Sequence, residues 1–345
     1  MNRRLISEES EQLIGKTNCF DAIRYYLSII VVLSHFYIIM GSGELDWITN
    51  SGQAVSGFFV LSGFLVFYSF YRKPNLKTYI KKRARRLIPP YLFIICLCLV
   101  IGMVMTTLPL GDFLTSSQLY KYLVANLSFM NFIEPCMPGV FESNALPTIN
   151  GSLWTMKVEI MLYATVPITY FFFKRYNKAV VLAVIFALSI AYSQVFLWLY
   201  SNTGKAIYEI MHRQIGTQLI YFYSGTAILF YFDWFQRHIK ILLPTALVLY
   251  VVLYKVPGLD ILSPFVFAVL IIGIAYNFKY LNFLGRFDNV SYGLYLFHFP
   301  IIQVVAACRL QDISIWLALA VSLVAITAVS YFSWYVIENP ILKKK

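Results

Sequence analysis

Apolar residues fill this chain in blocks of roughly twenty, separated by short polar stretches, and that spacing sets the architecture. A hydrocarbon layer about 30 Å thick needs roughly 20 residues of helix to cross it. Ten blocks meet or approach that length: 22–41, 53–71, 87–108, 152–173, 179–200, 214–232, 241–256, 260–277, 290–308 and 314–337. The seventh and eighth are short and are separated only by Val256-Pro257-Gly258. The stretch 118–133 is amphipathic and too short to span, so it is predicted in a loop as an interfacial or re-entrant helix. The expected fold is all-α: a polytopic membrane protein of about ten transmembrane helices, in a single membrane domain over residues 1–345.

Inside these blocks, a few ionisable residues fall at helical spacing. Arg24 and His35 are eleven residues apart in the first block. At about 100° and 1.5 Å per residue they share a face and lie roughly 16 Å apart along the axis. Ionisable side chains at membrane depth face a bundle interior or a wet cavity, and function is the default hypothesis for them. A snorkelling arginine beside a histidine satisfied by a neighbouring helix explains the pair equally well. Ser291, Tyr295 and His298 make a second stripe, at i, i+4 and i+7. Pro300 follows, which predicts a kink just past the histidine. Glu159 lies about two turns into the fourth block, with Tyr163 one turn further on the same face. A carboxylate there needs a partner, which Lys157, Arg24 or a histidine could supply; a purely structural ion pair is the alternative. His212 and His238 fall in loop or interfacial positions and carry no comparable signal.

Composition agrees with the pattern. The chain is 59% hydrophobic and 13% charged, against roughly 25% charged in a soluble domain. Mean hydropathy is +0.69. No cleavable signal is expected: the first apolar block follows about twenty polar residues, contains Arg24, and no small-residue cleavage site follows it. The five cysteines show no CxxC pair or metal-ligand spacing, so neither a disulfide framework nor a metal site is expected.

Charge then orients the chain. With a cytoplasmic N-terminus, 21 lysines and arginines fall on the inner side and five on the outer side. That asymmetry predicts both termini in the cytoplasm. Most of the net charge of +12 then faces an anionic leaflet. Membrane lipids are therefore the expected partners and nucleic acid is not. The inside loop 72–86 holds eight of these cations in fifteen residues, with Arg83 and Arg86 three apart. Paired guanidinium groups suit phosphates bidentately; a topogenic signal binding lipid headgroups is the competing reading. The outer loop, about 109–151, carries Asp112, Glu134, Glu142 and four prolines, and is long enough for a lid or acceptor platform.

At these residues the chain resembles the membrane-bound acyltransferase 3 family of bacterial cell-surface modification enzymes. The Arg-x10-His pair is Arg24 and His35. Gly57-Phe58-Phe59-Val60-Leu61-Ser62-Gly63-Phe64-Leu65 is similar to the family's second-span signature. Arg83 and Arg86, followed by Pro89, Pro90 and Tyr91, match the Arg-x-x-Arg element. Gly151-Ser152-Leu153-Trp154, running on to Glu159 and Tyr163, resembles the fourth-span signature. Ser291-Tyr292-Gly293-Leu294-Tyr295-Leu296-Phe297-His298-Phe299-Pro300 is the late motif, and Glu338-Asn339-Pro340 the closing Glu-x-Pro. Each alone is weak; six in order across nearly the whole chain are specific. Ile160 stands where many members carry a second acidic residue after the glutamate. No fused extracytoplasmic domain is expected, because the sequence stops at Lys345.

The resemblance implies transfer of an acyl group, usually acetyl, from cytoplasmic acyl-CoA to a hydroxyl of a surface polysaccharide, O-antigen or glycolipid. Acetyl-CoA would be a donor substrate, with no permanently bound cofactor. His35 is assigned as the base that takes the hydroxyl proton, because imidazole titrates near neutrality; a covalent acyl-histidine remains open. His298 or Glu159 would orient it or stabilise its charged form. Arg24, Arg83 and Arg86 would hold the donor, and Ser62, Trp154, Tyr163, Ser291 and Tyr295 would support the site. The competing class is a transporter or flippase for a glycolipid or small anion, which also uses ionisable residues at the midplane. No inverted repeat supports it: the basic loop has no counterpart in the second half. A non-enzymatic scaffold or sensor explains the hydrophobicity but not the ordered motifs.

Overall fold

The computed structural model describes residues 4–41, 50–255 and 260–343. Among these the regular structure is all helix, without a strand. Ser7 caps a short polar helix, α1 (Glu8–Ile14), by accepting from the Ser10 N–H. Three long helices follow: α2 (Phe20–Met40), α3 (Ser51–Arg72) and α4 (Leu76–Met105). The long connection after α4 folds into α5 (Leu110–Thr115) and α6 (Ser117–Leu127), so the amphipathic stretch is indeed a short helix. A single 3-10 turn, Gly151–Leu153, leads into α7 (Trp154–Arg175). Asn177 caps α8 (Lys178–Thr203), and Gly204 closes it in the left-handed conformation that a Cβ would disfavour. Next come α9 (Ala206–His212), α10 (Ile215–Phe230), α11 (Phe232–Arg237), α12 (Ile239–Lys255) and α13 (Ser263–Asn277). The chain ends with α14 (Ser291–Ala307), α15 (Leu310–Ile313), α16 (Ile315–Ser333) and α17 (Asn339–Lys343).

Each of the ten apolar blocks is carried by a helix, but not all are of spanning length. Six are long and apolar enough to cross a membrane: α2, α3, α4, α7, α8 and α16 with its continuation. A seventh counts if α13 and the 3-10 turn Lys279–Arg286, bent by 77°, are taken as one span. The remaining three, α10, α12 and α14, have 16, 17 and 17 residues. The Val256-Pro257-Gly258 break lies outside the described residues, as do Arg3, Lys344 and Lys345 from the charge asymmetry.

One expectation about helix boundaries changes. The third block begins at Leu76, not 87, because the basic stretch and the apolar block form one 30-residue helix through Pro89 and Pro90. The basic residues are thus its first turns. Proline has no N–H to give to the carbonyl four residues earlier. Here those carbonyls belong to Arg85 and Arg86, near the polar end of the helix. Pro300 likewise sits inside α14, which continues for seven residues beyond it.

The helices gather into two compact units. The first comprises Met1–Arg24, Val55–Leu76 and Val158–Phe287. Its centre is aromatic: Phe20, Phe64, Phe232 and Tyr276 meet with ring centroids 4.7–5.9 Å apart. Glycine lets α3 and α10 approach closely. A Cβ on Gly63 would overlap the Phe222 carbonyl, and one on Gly225 the Val60 carbonyl. The gap is sealed by the Thr226 hydroxyl, which donates to the Gly63 carbonyl at 2.9 Å. The second-span signature therefore serves helix packing. The N-terminal segment is pinned by Lys178, whose Nζ donates to the carbonyls of Leu5 and Phe230.

The second unit comprises Tyr25–Ala54, Lys77–Lys157 and Asp288–Lys345. Here α14 is the central element: thirteen of its seventeen residues are buried, so it is surrounded by protein on nearly every face. It lies against α16, where Gly293 faces Ser330 closely enough that a Cβ would crowd it at 2.9 Å. The connection after α4 is packed rather than loose. The Tyr91 hydroxyl donates to the Asn126 carbonyl at 2.7 Å, and its ring stacks on Phe129 at 4.3 Å.

Candidate active site

The site begins with how α2 and α14 are held together. The Tyr25 hydroxyl donates to the Asp288 carbonyl at 2.7 Å and accepts from the Val290 N–H at 3.1 Å. One turn on, the Ser28 hydroxyl donates to the Ser291 carbonyl at 2.9 Å. Both pairs have a sequence offset of 263, so the helices run parallel and in register. Seven residues are close to two turns and return to the same face. His35 and His298 each lie seven residues beyond the Ser28 and Ser291 contact, with the same offset of 263, and they meet: His35 Nδ1 is 2.7 Å from His298 Nε2. The ring centroids are 5.0 Å apart and the rings within 13° of parallel.

The hydrogen bonds around this pair fix its protons. His298 Nδ1 lies 2.8 Å from the Tyr295 carbonyl and 3.2 Å from the Leu294 carbonyl. A carbonyl only accepts, so His298 carries its proton on Nδ1 and its Nε2 is a bare acceptor. His35 must then donate from Nδ1. That leaves the lone pair on His35 Nε2, the nitrogen pointing away from the dyad. His298 is fully buried, whereas His35 is half-buried. The chain from Tyr295 carbonyl to His298 to His35 thus presents one basic nitrogen from an otherwise closed helix pair.

A turn before α7 braces this arrangement. Asn150 donates from Nδ2 to the Leu296 carbonyl at 3.0 Å, and its Oδ1 accepts from the Ser152 N–H and hydroxyl. The Thr155 and Tyr295 hydroxyls are 2.7 Å apart. Gly151 sits against the Phe299 ring, where a Cβ would come within 2.8 Å. That ring in turn stands edge-on to His35 at 5.2 Å. The fourth-span signature is therefore the piece that docks on α14 beside His298. Lower on α14, Gln303 donates from Nε2 to the Leu146 and Thr148 carbonyls, each at 2.7 Å, and accepts from Asn144 at Oε1, also at 2.7 Å.

The structure brings together His35, His298 and Tyr295, with Ser291 in the register contact. Trp154 opens α7, one residue before Thr155. Arg83 and Arg86 lie one turn apart on α4 in the same unit; the Arg83 guanidinium lies 5.8 Å from the Tyr79 ring centre. Glu338 is buried and accepts from the Ser333 hydroxyl at 3.0 Å. The other positions belong to the first unit. Arg24 pairs with Asp21 at 2.8 Å, one turn back on α2. Ser62 lies on α3 beside the Gly63 packing contact. Glu159 accepts from the Tyr163 hydroxyl, a phenol one turn on along α7. In the second unit, Lys157 rests over the Phe132 ring at 4.7 Å.

Sequence reasoning passed over Asn150, Thr155, Gln303 and Asn144. Gln303 had a readable signal: an amide in an apolar helix, five residues beyond His298, needs a partner at that depth. Asn150 had none beyond adjacency to the glycine of the motif.

Residues 17–335 match the acyltransferase domain family. An O-acetyl transferase of Shigella phage Sf6 is 26% identical over 346 residues, covering 95% of this chain and 97% of the relative. Nodulation protein 10 of Rhizobium leguminosarum bv. viciae is 25% identical, covering 97% of this chain and 95% of the relative. The O-acetyltransferase OatA of Staphylococcus aureus is 22% identical over 94% of this chain, which spans 57% of OatA. No solved structure matches the chain. With its motifs in family order and a family match over nearly its whole length, this helical membrane protein belongs to the acyltransferase 3 family and is an acyltransferase of groups other than aminoacyl groups.

Proposed function

We propose that this protein is an O-acyltransferase, with acetyl the favoured group, carrying it from cytoplasmic acyl-CoA to a hydroxyl of a cell-surface polysaccharide, O-antigen or glycolipid. The observation that carries the reading is the His35–His298 hydrogen bond, which leaves a basic nitrogen on His35 Nε2. In the step proposed, Nε2 takes the proton of the acceptor hydroxyl as that oxygen attacks the thioester carbon. The tetrahedral adduct then breaks its C–S bond. The departing thiolate takes the proton back from Nε2, leaving an ester and free CoA. His298 keeps His35 in the required tautomer and shares the transient charge through the hydrogen bond. Names of relatives that acetylate hydroxyl groups support the transfer chemistry. The cationic first turns of α4, with Arg83 and Arg86, would hold the donor phosphates.

The charge asymmetry of 21 to 5 supports a ten-span arrangement in the inner membrane, both termini cytoplasmic and residues 109–151 outside. A cysteine replacing Ser143 should react with an impermeant maleimide in intact spheroplasts, and one replacing Ser7 should not. Labelling in the reverse pattern rejects this topology.

The function is tested by measuring transfer rate and donor affinity in the same nanodisc preparations. His35→Ala should lose at least 10²–10⁴-fold in transfer, the usual contribution of a placed base, and still bind acyl-CoA. Replacing Arg83 and Arg86 together by alanine should do the opposite. It should weaken acyl-CoA binding by a few kcal/mol, at about 1.5–3 per charge-assisted contact. Near-normal transfer by His35→Ala removes it as the base.

A further inference from the structure

The acceptor side of the reaction has no assigned residues, and one cavity lies where an acceptor would enter in the proposed topology. It has a volume of about 400 Å³ and lies at the C-terminal ends of α2 and α14. Ile39 and Ala306 are its buried lining residues. Ile39 is four residues beyond His35, about 6 Å along the axis, and on the same face; Ala306 is eight beyond His298, about 12 Å. Because α2 and α14 run parallel in register, both reach the cavity from the dyad in the same direction. In the proposed topology that direction is outward, opposite the basic turns of α4.

The exposed lining carries polar groups of mixed sign, Ser143, Arg309 and Asp312, beside Gly41 and Ala145, with half-buried Asn144 among them. A carboxylate at the mouth repels an anion, and a guanidinium repels a cation. A neutral polyhydroxyl ligand suits both, since its hydroxyls donate to Asp312 and accept from Arg309. Apolar lining at the buried end suits the C–H face of a sugar ring. The volume falls in the range of small-molecule sites, roughly 300–1,000 Å³. The wall is also fixed in advance. Gln303 holds the carbonyls of Leu146 and Thr148 and accepts from the Asn144 amide. Arg309 stands at φ 54°, a left-handed conformation unfavourable to residues with a Cβ and recurrent at ligand clamps.

We propose that this cavity is the acceptor subsite and that it selects a neutral sugar residue, with Asn144, Arg309 and Asp312 as its specificity-determining contacts. The word acceptor rests on the acyl-transfer reading; the sugar site itself does not. Saturation-transfer NMR on the protein in nanodiscs tests it, with methyl α-D-glucopyranoside as the neutral probe and methyl β-D-glucuronide and glucosamine as the charged ones. The neutral glycoside should be saturated more strongly than either charged sugar. Asn144→Ala, Asp312→Ala and the shape-conserving Asp312→Asn should each weaken its binding by about 3- to 10-fold, the change for one lost hydrogen bond. His35→Ala should still bind it. Absence of saturation, preference for a charged sugar, or indifference to Asn144 and Asp312 in protein that still binds acetyl-CoA overturns the site. Sugar binding with those dependences, in wild-type protein that never consumes acetyl-CoA, upholds the sugar site and overturns the acyl-transfer reading instead.

Discussion

Two apolar helices, α8 and α14, show how differently similar sequences can be used. α8 runs for 26 residues with only 11% of its apolar window buried. Val184 is 52% exposed and Leu188 and Trp198 are each 64% exposed. α14 is shorter, and thirteen of its seventeen residues are buried. Its polar residues are partnered turn by turn: Ser291 with Asn289, Tyr295 with Thr155, His298 with His35, Gln303 with Leu146, Thr148 and Asn144. Hydropathy reports only that both helices avoid water. The polar stripe reports which one is surrounded by protein, because an unpartnered polar group in hydrocarbon costs several kcal/mol.

Substitutions on the two helices should separate accordingly. The largest effect on α14 is expected at His298. Alanine there removes the acceptor that holds the His35 proton on Nδ1, and transfer should fall by roughly 10- to 100-fold, less than the 10²–10⁴ assigned to the base itself. Glutamine offers a carbonyl acceptor and should restore part of the rate. Steady-state kinetics with unchanged acyl-CoA affinity separates this positioning role from collapse of the helix pair; equal losses in both variants would argue for collapse. Gln303→Leu should act on stability. It leaves the carbonyls of Leu146 and Thr148 without their donor, at about 1–3 kcal/mol for each group left unsatisfied, while the Asn144 amide keeps the main-chain carbonyl of residue 303. The readout is a lower Tm in detergent. An unchanged Tm would mean that water substitutes for the amide. The smallest effect belongs to α8: Leu188→Ala should shift stability by less than about 0.5 kcal/mol, as for substitutions outside any packed or bonded feature. A large loss there would mean that α8 is covered by protein, and the contrast between the helices would fail.

The apolar blocks of the sequence fall on ten of the seventeen helices described, and helical periodicity put Arg24 with His35, and Ser291 with Tyr295 and His298, on single faces. It also singled out the basic turns around Arg83 and Arg86. These features are local: spacings of three, four, seven and eleven residues are converted into faces by the helix backbone alone. Helix ends were less legible, because the helix Leu76–Met105 begins in the basic stretch, eleven residues before the apolar block that marked it in the sequence. The partners were not legible at all. Nothing in the order of residues states that α2 and α14 run parallel at an offset of 263. Nor does it say that Arg24 pairs with Asp21, or that Glu159 is met by Tyr163. The sequence by itself determined a helical membrane protein with two histidines at depth. Only tertiary packing, which sets the rotation and axial slide of one helix against another, decided that they share a hydrogen bond and which nitrogen is left to act.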